Sequence, residues 1–490
     1  MATATKSLDR LSESRLVLSE DWLSVGIGLA VFVLALAGLS GTDFLGWVVN
    51  TSVWTDPAKA LAPASKVYAD LGGAGALVVT YLALLAVLSA AAAALRANVV
   101  RFAITFTATF WLAYASWIVG SYAYLAVVTP ADLQKFGISW SLKLTNEGGF
   151  IVALLAGIVI ANFFPRFAEW LKEAIRPELY IKIAIVILGG FLAVTFASRL
   201  NLATSLVLRG VAAIVEAYLI YWAVVYFIAR KWFGFSREWS APLASGISIC
   251  GVAAAIATGG AIRARPQVPV LVSSLVVIFA VVEVLILPWL ATAFLAHEPL
   301  VAAAWMGLAV KTDGAAIAAG GISEALILSK NAAEGIRYQP GWILGTTAAV
   351  KIFIDIFIGI WAFLLAYIWT NHINVTRDKA KASEIWQRFP KFIIGFVLTF
   401  AIGLVLALTS SPATLAKLTP AIGEANTFRV IFFILTFFSI GVLSNFRKLW
   451  QDGFGKLAAV YFVSLFGFVI WVGLLVSWIF FHGVTPPLAS

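Results

Sequence analysis

The chain is poor in charge: Lys, Arg, Asp and Glu make up 12% of its 490 residues, about half the share of a soluble globular domain. No long polar block is left over for a soluble domain. Cysteine occurs once, at Cys250, which excludes a disulfide within the chain. The three histidines, His297, His372 and His482, are scattered, so a histidine-based metal site is not expected. No Gly-x-x-x-x-Gly-Lys-Ser/Thr loop is present, which argues against ATP as the energy source. No nucleophile–base arrangement is readable, and Cys250 has no evident partner base. An enzyme is therefore not expected, and neither is a cofactor or a bound metal.

What is abundant is apolar surface. The chain is 62% hydrophobic with a mean hydropathy of +0.97, and apolar runs of about 20 residues recur along its whole length. This is a polytopic all-α membrane protein. The net charge of +10 lies in short loops, where it reports topology rather than an affinity for nucleic acid. The polar start, "MATATKSLDRLSESRLVLSED", lacks the pattern of a secretory signal, so the first apolar run reads as a retained span.

Hydropathy predicts about 13 spans by the 20-residue criterion. The first three lie near 22–40, 71–95 and 102–128. Ten more lie near 148–165, 177–197, 203–229, 240–262, 267–294, 299–327, 342–369, 391–410, 427–446 and 456–481. The organisation expected is a cytoplasmic N-terminus over 1–21, a three-helix extension over 22–147, and two halves of a ten-helix core, 148–298 and 299–490. Placing the N-terminus inside puts Arg96, Arg101, Arg166, Lys172, Arg230, Arg377, Lys379 and Arg447 in cytoplasmic loops. Those loops then carry the excess of Lys and Arg that the positive-inside rule requires. The C-terminus is then periplasmic or extracellular, and the membrane is the inner (plasma) membrane.

Residues 244–260 read "ASGISICGVAAAIATGG", with four glycines where an anchor would use Leu, Ile and Val. The fourth span of the second half holds "FFSIGVLSN" (437–445). Ser-Ile followed by Gly at the same ordinal position in two five-span halves, which odd numbers force into opposite orientations, is the pattern of an inverted repeat. Two readings compete for each stretch. Small residues let helices pack closely. Alternatively, the helix is broken, and the free N–H groups of the second half-helix suit an anion. On the second reading, breaks fall near Ser248–Gly251 and Ser439–Gly441, and Ser248, Ile249, Cys250, Gly251, Ser439, Gly441 and Asn445 bind substrate.

Ionisable residues inside spans are functional candidates. Glu283 lies among apolar neighbours in "LVVIFAVVEVLILPWL", as a proton carrier or a hydrogen-bonded structural group. Lys351 and Asp355, four apart, share a helix face, as a static ion pair or a relay. Arg209 and Glu216 read as partners in packing between helices. The sharpest cluster is "AVKTDGAAIAAGG", where Lys311, Thr312 and Asp313 interrupt a small-residue span. Lys311 and Thr312 are candidates for the anion and Asp313 for the coupling proton, with Glu283, Asp355 and Lys351 behind it. Glu324, nearer the end of its span, is expected to be solvated.

"GISICGVAAAIATGGAIRARPQ", "ELYIKIAIVILGGFLA" and "FFILTFFSIGVLSNFRKLW" together resemble segments of the YeiH-like sulfate exporter family, of UPF0324 type. The resemblance covers roughly 148–481. It implies a ten-helix core of two inverted five-helix repeats with crossing broken helices, on a fold related to bile-acid symporters and sodium/proton antiporters. Where many members have a His followed by an acidic residue in the sixth core span, this chain has Lys311 and Thr312, with Asp313 one position later.

The function expected is secondary transport of a small oxyanion, sulfate or an organic sulfonate, coupled to H⁺ or Na⁺. The alternatives are a cation/proton antiporter of the same fold and a non-transporting membrane sensor. Partners are the lipid bilayer, the anion and the coupling ion, with a homodimer as the assembly considered and no nucleic acid.

Overall fold

The computed structural model describes residues 19–127, 130–142, 144, 148–265, 267–374, 381, 383–446 and 455–489. Residues 1–18, Arg377, Lys379 and Arg447, which bear on the expected orientation, lie outside them. Among the described residues ten helices are long and apolar enough to cross a membrane, or eleven with the unit bent by 118° between Gly148–Phe163 and Pro165–Leu171. The protein is a polytopic all-α membrane protein.

The helices that matter here are α1 (Glu20–Ala37), α2 (Gly72–Ala94), α3 (Val99–Gly120), α4 (Gly148–Phe163) and α5 (Pro177–Ala197). The spans α6 (Leu200–Trp232) and, after the hairpin below, α9 follow. A short antiparallel pair, β1 (Val49–Thr51) and β2 (Leu61–Pro63), sits between α1 and α2.

Two of the thirteen expected spans do not cross. Helix α7 (Arg237–Ser248) and helix α8 (Gly251–Ala261) form a hairpin. Their far ends meet: the Arg265 backbone N–H and guanidinium donate to Glu238 Oε1 at 2.7 and 3.0 Å. Those bonds, the backbone one first, hold the Glu238 carboxyl below the usual carboxylate range. Halfway down, Thr258 donates to Ser245 across the hairpin at 2.7 Å. Helix α9 (Gln267–Phe294) then crosses. Helices α10 (Pro299–Ala309) and α11 (Asp313–Ala333) form a second hairpin from the other face. Its mouth is tied by Asn331 to the Ala296 carbonyl at 2.8 Å and by Lys330 to Thr292 at 3.1 Å. The spans α12 (Trp342–Ile373), α13 (Phe392–Thr409), α14 (Pro412–Leu443) and α15 (Gly455–Phe481) complete the chain.

Contacts at the helix ends fix the faces. Glu20 and Asp21 of α1 bond Arg176 and Lys182 at the start of α5, and Asp21 accepts from Lys391 at the start of α13. On the opposite face Glu298 bonds His482. With the bent unit, the described residues hold eleven candidate spans beside the two hairpins, an odd number, as thirteen is. The difference is local: Arg263 and Arg265 return to the N-terminal face, which adds to its basic excess. Re-entrant backbone is tolerated at membrane depth because protein buries it, and both tips are buried here.

The second break is not where the repeat argument puts it. Helix α14 is continuous through Ser439 and Gly441 to Leu443. The Ser-Ile-Gly motif there serves close packing: a Cβ on Gly441 would lie 2.2 Å from the Leu154 carbonyl oxygen of α4. Helices α1 to α5 pack with α13 and α14 as one body. Both hairpins pack with α6, α9, α12 and α15 as another.

Candidate functional site

The two hairpin tips meet inside the protein. In the first tip Ile249 (φ −105°, ψ −89°) and Cys250 (φ −138°, ψ 93°) leave helical geometry. In the second, Val310 and Thr312 are extended, and Thr312 caps α11 by accepting the Ala315 N–H at 3.2 Å. The tips bond each other directly, the Gly251 N–H to the Lys311 carbonyl at 2.8 Å. Gly251 is required by proximity: a Cβ there would lie 2.5 Å from Val276 Cγ1 and 2.9 Å from Thr312 Cγ2. Thr312→Ala should cost about 0.5–2 kcal/mol through the lost cap, read as a lowered melting temperature in detergent.

Lys351 of α12 holds the meeting point. Its ammonium donates to the Ile249 carbonyl at 2.9 Å and the Lys311 carbonyl at 3.0 Å, one from each tip. It stands 3.7 Å from Asp313 Oδ1. The expected Lys351–Asp355 ion pair is replaced by this one, because the unwound carbonyls lie within reach of the ammonium. Cys250 Sγ donates to the same Asp313 oxygen at 2.8 Å, so the cysteine belongs to the cluster and has a partner from the other tip. Glu283 Oε2 accepts the Lys311 backbone N–H at 3.0 Å. The Lys311 side chain turns the other way, donating to the Leu308 carbonyl at the end of α10 and lying 4.5 Å from the Tyr221 ring centroid. It neutralises a helix C-terminus rather than facing the half-helix N-termini.

Lys311, Lys351, Glu283 and Asp355 are each 1% exposed and Asp313 5%. One carboxyl oxygen each of Glu283 and Asp355, and the Ser248 hydroxyl, have no hydrogen-bond partner among the described residues. Buried polar atoms are nearly always satisfied, and these three have the capacity for one more bond. Ligand atoms of Cys250, Asp313 and Asp355 lie within 4.8 Å of one another. The Lys351 ammonium, bonded to the Ile249 and Lys311 carbonyls, stands 3.7 Å from the Asp313 oxygen of that set.

Other expected residues fall elsewhere. Ser439 is buried without a hydrogen-bond partner among the described residues, and Asn445 donates to the Ala161 carbonyl near the N-terminal face. Glu324, expected to be solvated, accepts the N–H groups of Gly341, Ile343 and Leu344 at the start of α12. Arg209 donates to Ser205 and the Phe480 carbonyl, not to Glu216. Glu216 is itself buried. Tyr221 was missed; an aromatic among many in an apolar span carries no signal that it faces Lys311.

Residues 114–460 match the model of a family described as Conserved hypothetical protein 698. A UPF0324 membrane protein of Nitrosomonas europaea is 40% identical over 475 residues, 96% of this chain and 97% of its own. An uncharacterized protein of Archaeoglobus fulgidus is 48% identical over 185 residues, 33% of this chain and 96% of its own. A UPF0324 membrane protein of Rhodopirellula baltica is 32% identical over 321 residues, 63% of this chain and 53% of its own. No solved structure matches.

Proposed function

The chain belongs to the UPF0324 membrane protein family, and from that premise we propose that it is a secondary active transporter. Its cargo on this reading is a small oxyanion of the sulfate or organic sulfonate class, exported across the inner membrane by alternating access. The observation that carries the reading is the tip-to-tip meeting of two oppositely entering hairpins around Lys351. Broken helices near the membrane midplane supply N-termini for anions and carbonyl ends for cations. Here both starts, Gly251 of α8 and Asp313 of α11, lie at the meeting point.

The coupling ion on this reading is the proton. The ammonium of Lys351 takes the carbonyls that a sodium ion would use. Asp313, shared by Lys351 and Cys250, is the first candidate for the coupling role, with Asp355 and Glu283 after it. Ser248, Ile249, Cys250, Gly251 and Thr312 form the tips that enclose the anion. Lys311 contributes by fixing α10 and adding positive charge. A cation/proton antiporter is the second reading, favoured by the Cys250, Asp313 and Asp355 donor set.

Lys311→Ala separates the two in proteoliposomes. The anion reading expects flux of labelled sulfonate or sulfate to fall severalfold as the positive charge near the tips is lost. The antiporter reading expects cation-driven proton movement to persist with a shifted pH dependence. A ligand screen by melting temperature supports the test, since a ligand at 100 times its Kd adds about 2.7 kcal/mol. If only cations raise the melting temperature, the anion reading fails.

A further inference from the structure

Arg209 is a charge within a span that the hairpin tips do not use. It lies on α6, whose 33 residues make about 50 Å of helix against a hydrocarbon core of about 30 Å. The first turns of α6 therefore reach headgroup level on the face opposite the N-terminal one. They stand beside the last turn of α15, whose Phe480 carbonyl accepts from Arg209. The Arg209 Nε donates to Ser205 Oγ at 3.0 Å, one turn nearer the start of α6. The side chain thus runs toward that face and away from Glu216, as a long cation does when it snorkels. Arg209 forms no ion pair among the described residues. Glu298, the acid near that end of α15, is bonded to His482 and to the Gly483 N–H. A cation in a span ordinarily has a partner. The surrounding surface is also unusual for a span. Ala203, Leu206 and Gly210 bury one side of this stretch. Asn201, Thr204, Ser205, Leu208 and Arg209 recur at helical spacing on the other, and with Phe480 they line an open groove of about 540 Å³. Deeper along α6 the same side is apolar and exposed, at Val211, Val215 and Leu219.

We propose that this groove binds the phosphate headgroup of an anionic phospholipid in the adjoining leaflet. A guanidinium carries five N–H groups in a planar fork that matches phosphate oxygens. Ser205 and the Phe480 carbonyl take two of them, and the others are left for a ligand. Asn201 and Thr204 are exposed on the same side and offer polar groups to the remaining headgroup oxygens. Leu208, Val211, Val215 and Leu219 then continue as a surface for an acyl chain. One helix side therefore matches both ends of an amphipathic ligand, which a free phosphate would use only in part. Among the described residues no acid lines the groove. A headgroup with net negative charge is favoured over a zwitterionic one, whose ammonium would meet Arg209.

Native mass spectrometry of the full chain in detergent tests this, with dioleoylphosphatidylglycerol, dioleoylphosphatidylcholine and inorganic phosphate as the probes. The unaltered protein should retain phosphatidylglycerol severalfold more than phosphatidylcholine, and inorganic phosphate at equal concentration should not displace it. Arg209→Gln should abolish that preference, and Arg209→Lys should keep part of it. Ser205→Asp gives the guanidinium a carboxylate four residues away on its own helix. It should abolish the preference while leaving Arg209 in place, which keeps the test decisive if Arg209→Gln fails to fold. Thr204→Cys, in a protein whose native cysteine is buried, should form no disulfide between two copies on oxidation. No preference in the unaltered protein, or one that survives Arg209→Gln or Ser205→Asp, overturns the site. Displacement by inorganic phosphate would make it a free-anion site and overturn the lipid. A Thr204→Cys crosslink would place a second copy of the chain on the groove and overturn the lipid equally.

Discussion

Replacing Lys351 with methionine is expected to destabilise the protein more than any other single change at the hairpin tips. One ammonium satisfies a carbonyl from each tip and stands against Asp313. Methionine keeps the apolar stem and removes all three interactions. Breaking a buried pair by removing one partner costs about 3–5 kcal/mol, because the other charge is left uncompensated. The measurement is the melting temperature of purified protein in detergent. The pair Lys351→Met with Asp313→Asn removes the stranded charge together with its partner. It should therefore be more stable than Lys351→Met alone, with a coupling energy of about 0.5–3 kcal/mol. The double variant should still move no solute if the pair titrates during transport. A loss under about 0.5 kcal/mol for Lys351→Met, as for an ordinary surface change, would mean the ammonium does not join the tips.

Gly441→Val is expected to abolish folding, although it lies far from any buried charge. The Cβ would fall 2.2 Å from the Leu154 carbonyl oxygen and 2.9 Å from the Gly157 Cα. Gly157 is equally crowded, its own Cβ position lying 2.4 Å from the Phe438 carbonyl oxygen. Two helix backbones touch here, and neither end of the contact is a flexible side chain that can step aside. Overpacking costs about 1–3 kcal/mol where the structure gives, and more where it cannot. The readout is the monodisperse fraction on size-exclusion chromatography after detergent extraction. Ser439→Ala, on the same helix, should extract and elute like the unaltered protein. If Gly441→Val is well folded and only loses ligand binding, the motif is a binding break after all.

The membrane class, the first break and the charged break at Lys311–Asp313 were legible in the sequence. Each follows from local composition: apolar runs, a Gly- and Ser-rich interruption, and polar residues beside glycines. The re-entrant course of 237–261 and 299–333 was not. A hairpin of two short helices has the hydropathy of one broken span. What distinguishes them is where the ends lie, and that is decided by Glu238 with Arg265 and by Asn331 with the Ala296 carbonyl. The misplaced second break has a related cause. Glycine lets two backbones approach and lets one backbone bend, and "SIG" in α14 does the first while "SICG" in the hairpin sits beside the second. The partner of Lys351 was missed because i,i+4 spacing favours Asp355, whereas the unwound tips bring in Asp313 and two carbonyls from far along the chain.

The hairpin course has the segment around Cys250 enter and leave the membrane on one face. Single cysteines at Lys231 and Gln267 bracket it, both at exposed positions, in a protein whose native cysteine is buried. Labelled with an impermeant maleimide in right-side-out and inverted vesicles, both are predicted to react from the same face. Reaction from opposite faces would make the segment a crossing helix and contradict the hairpin.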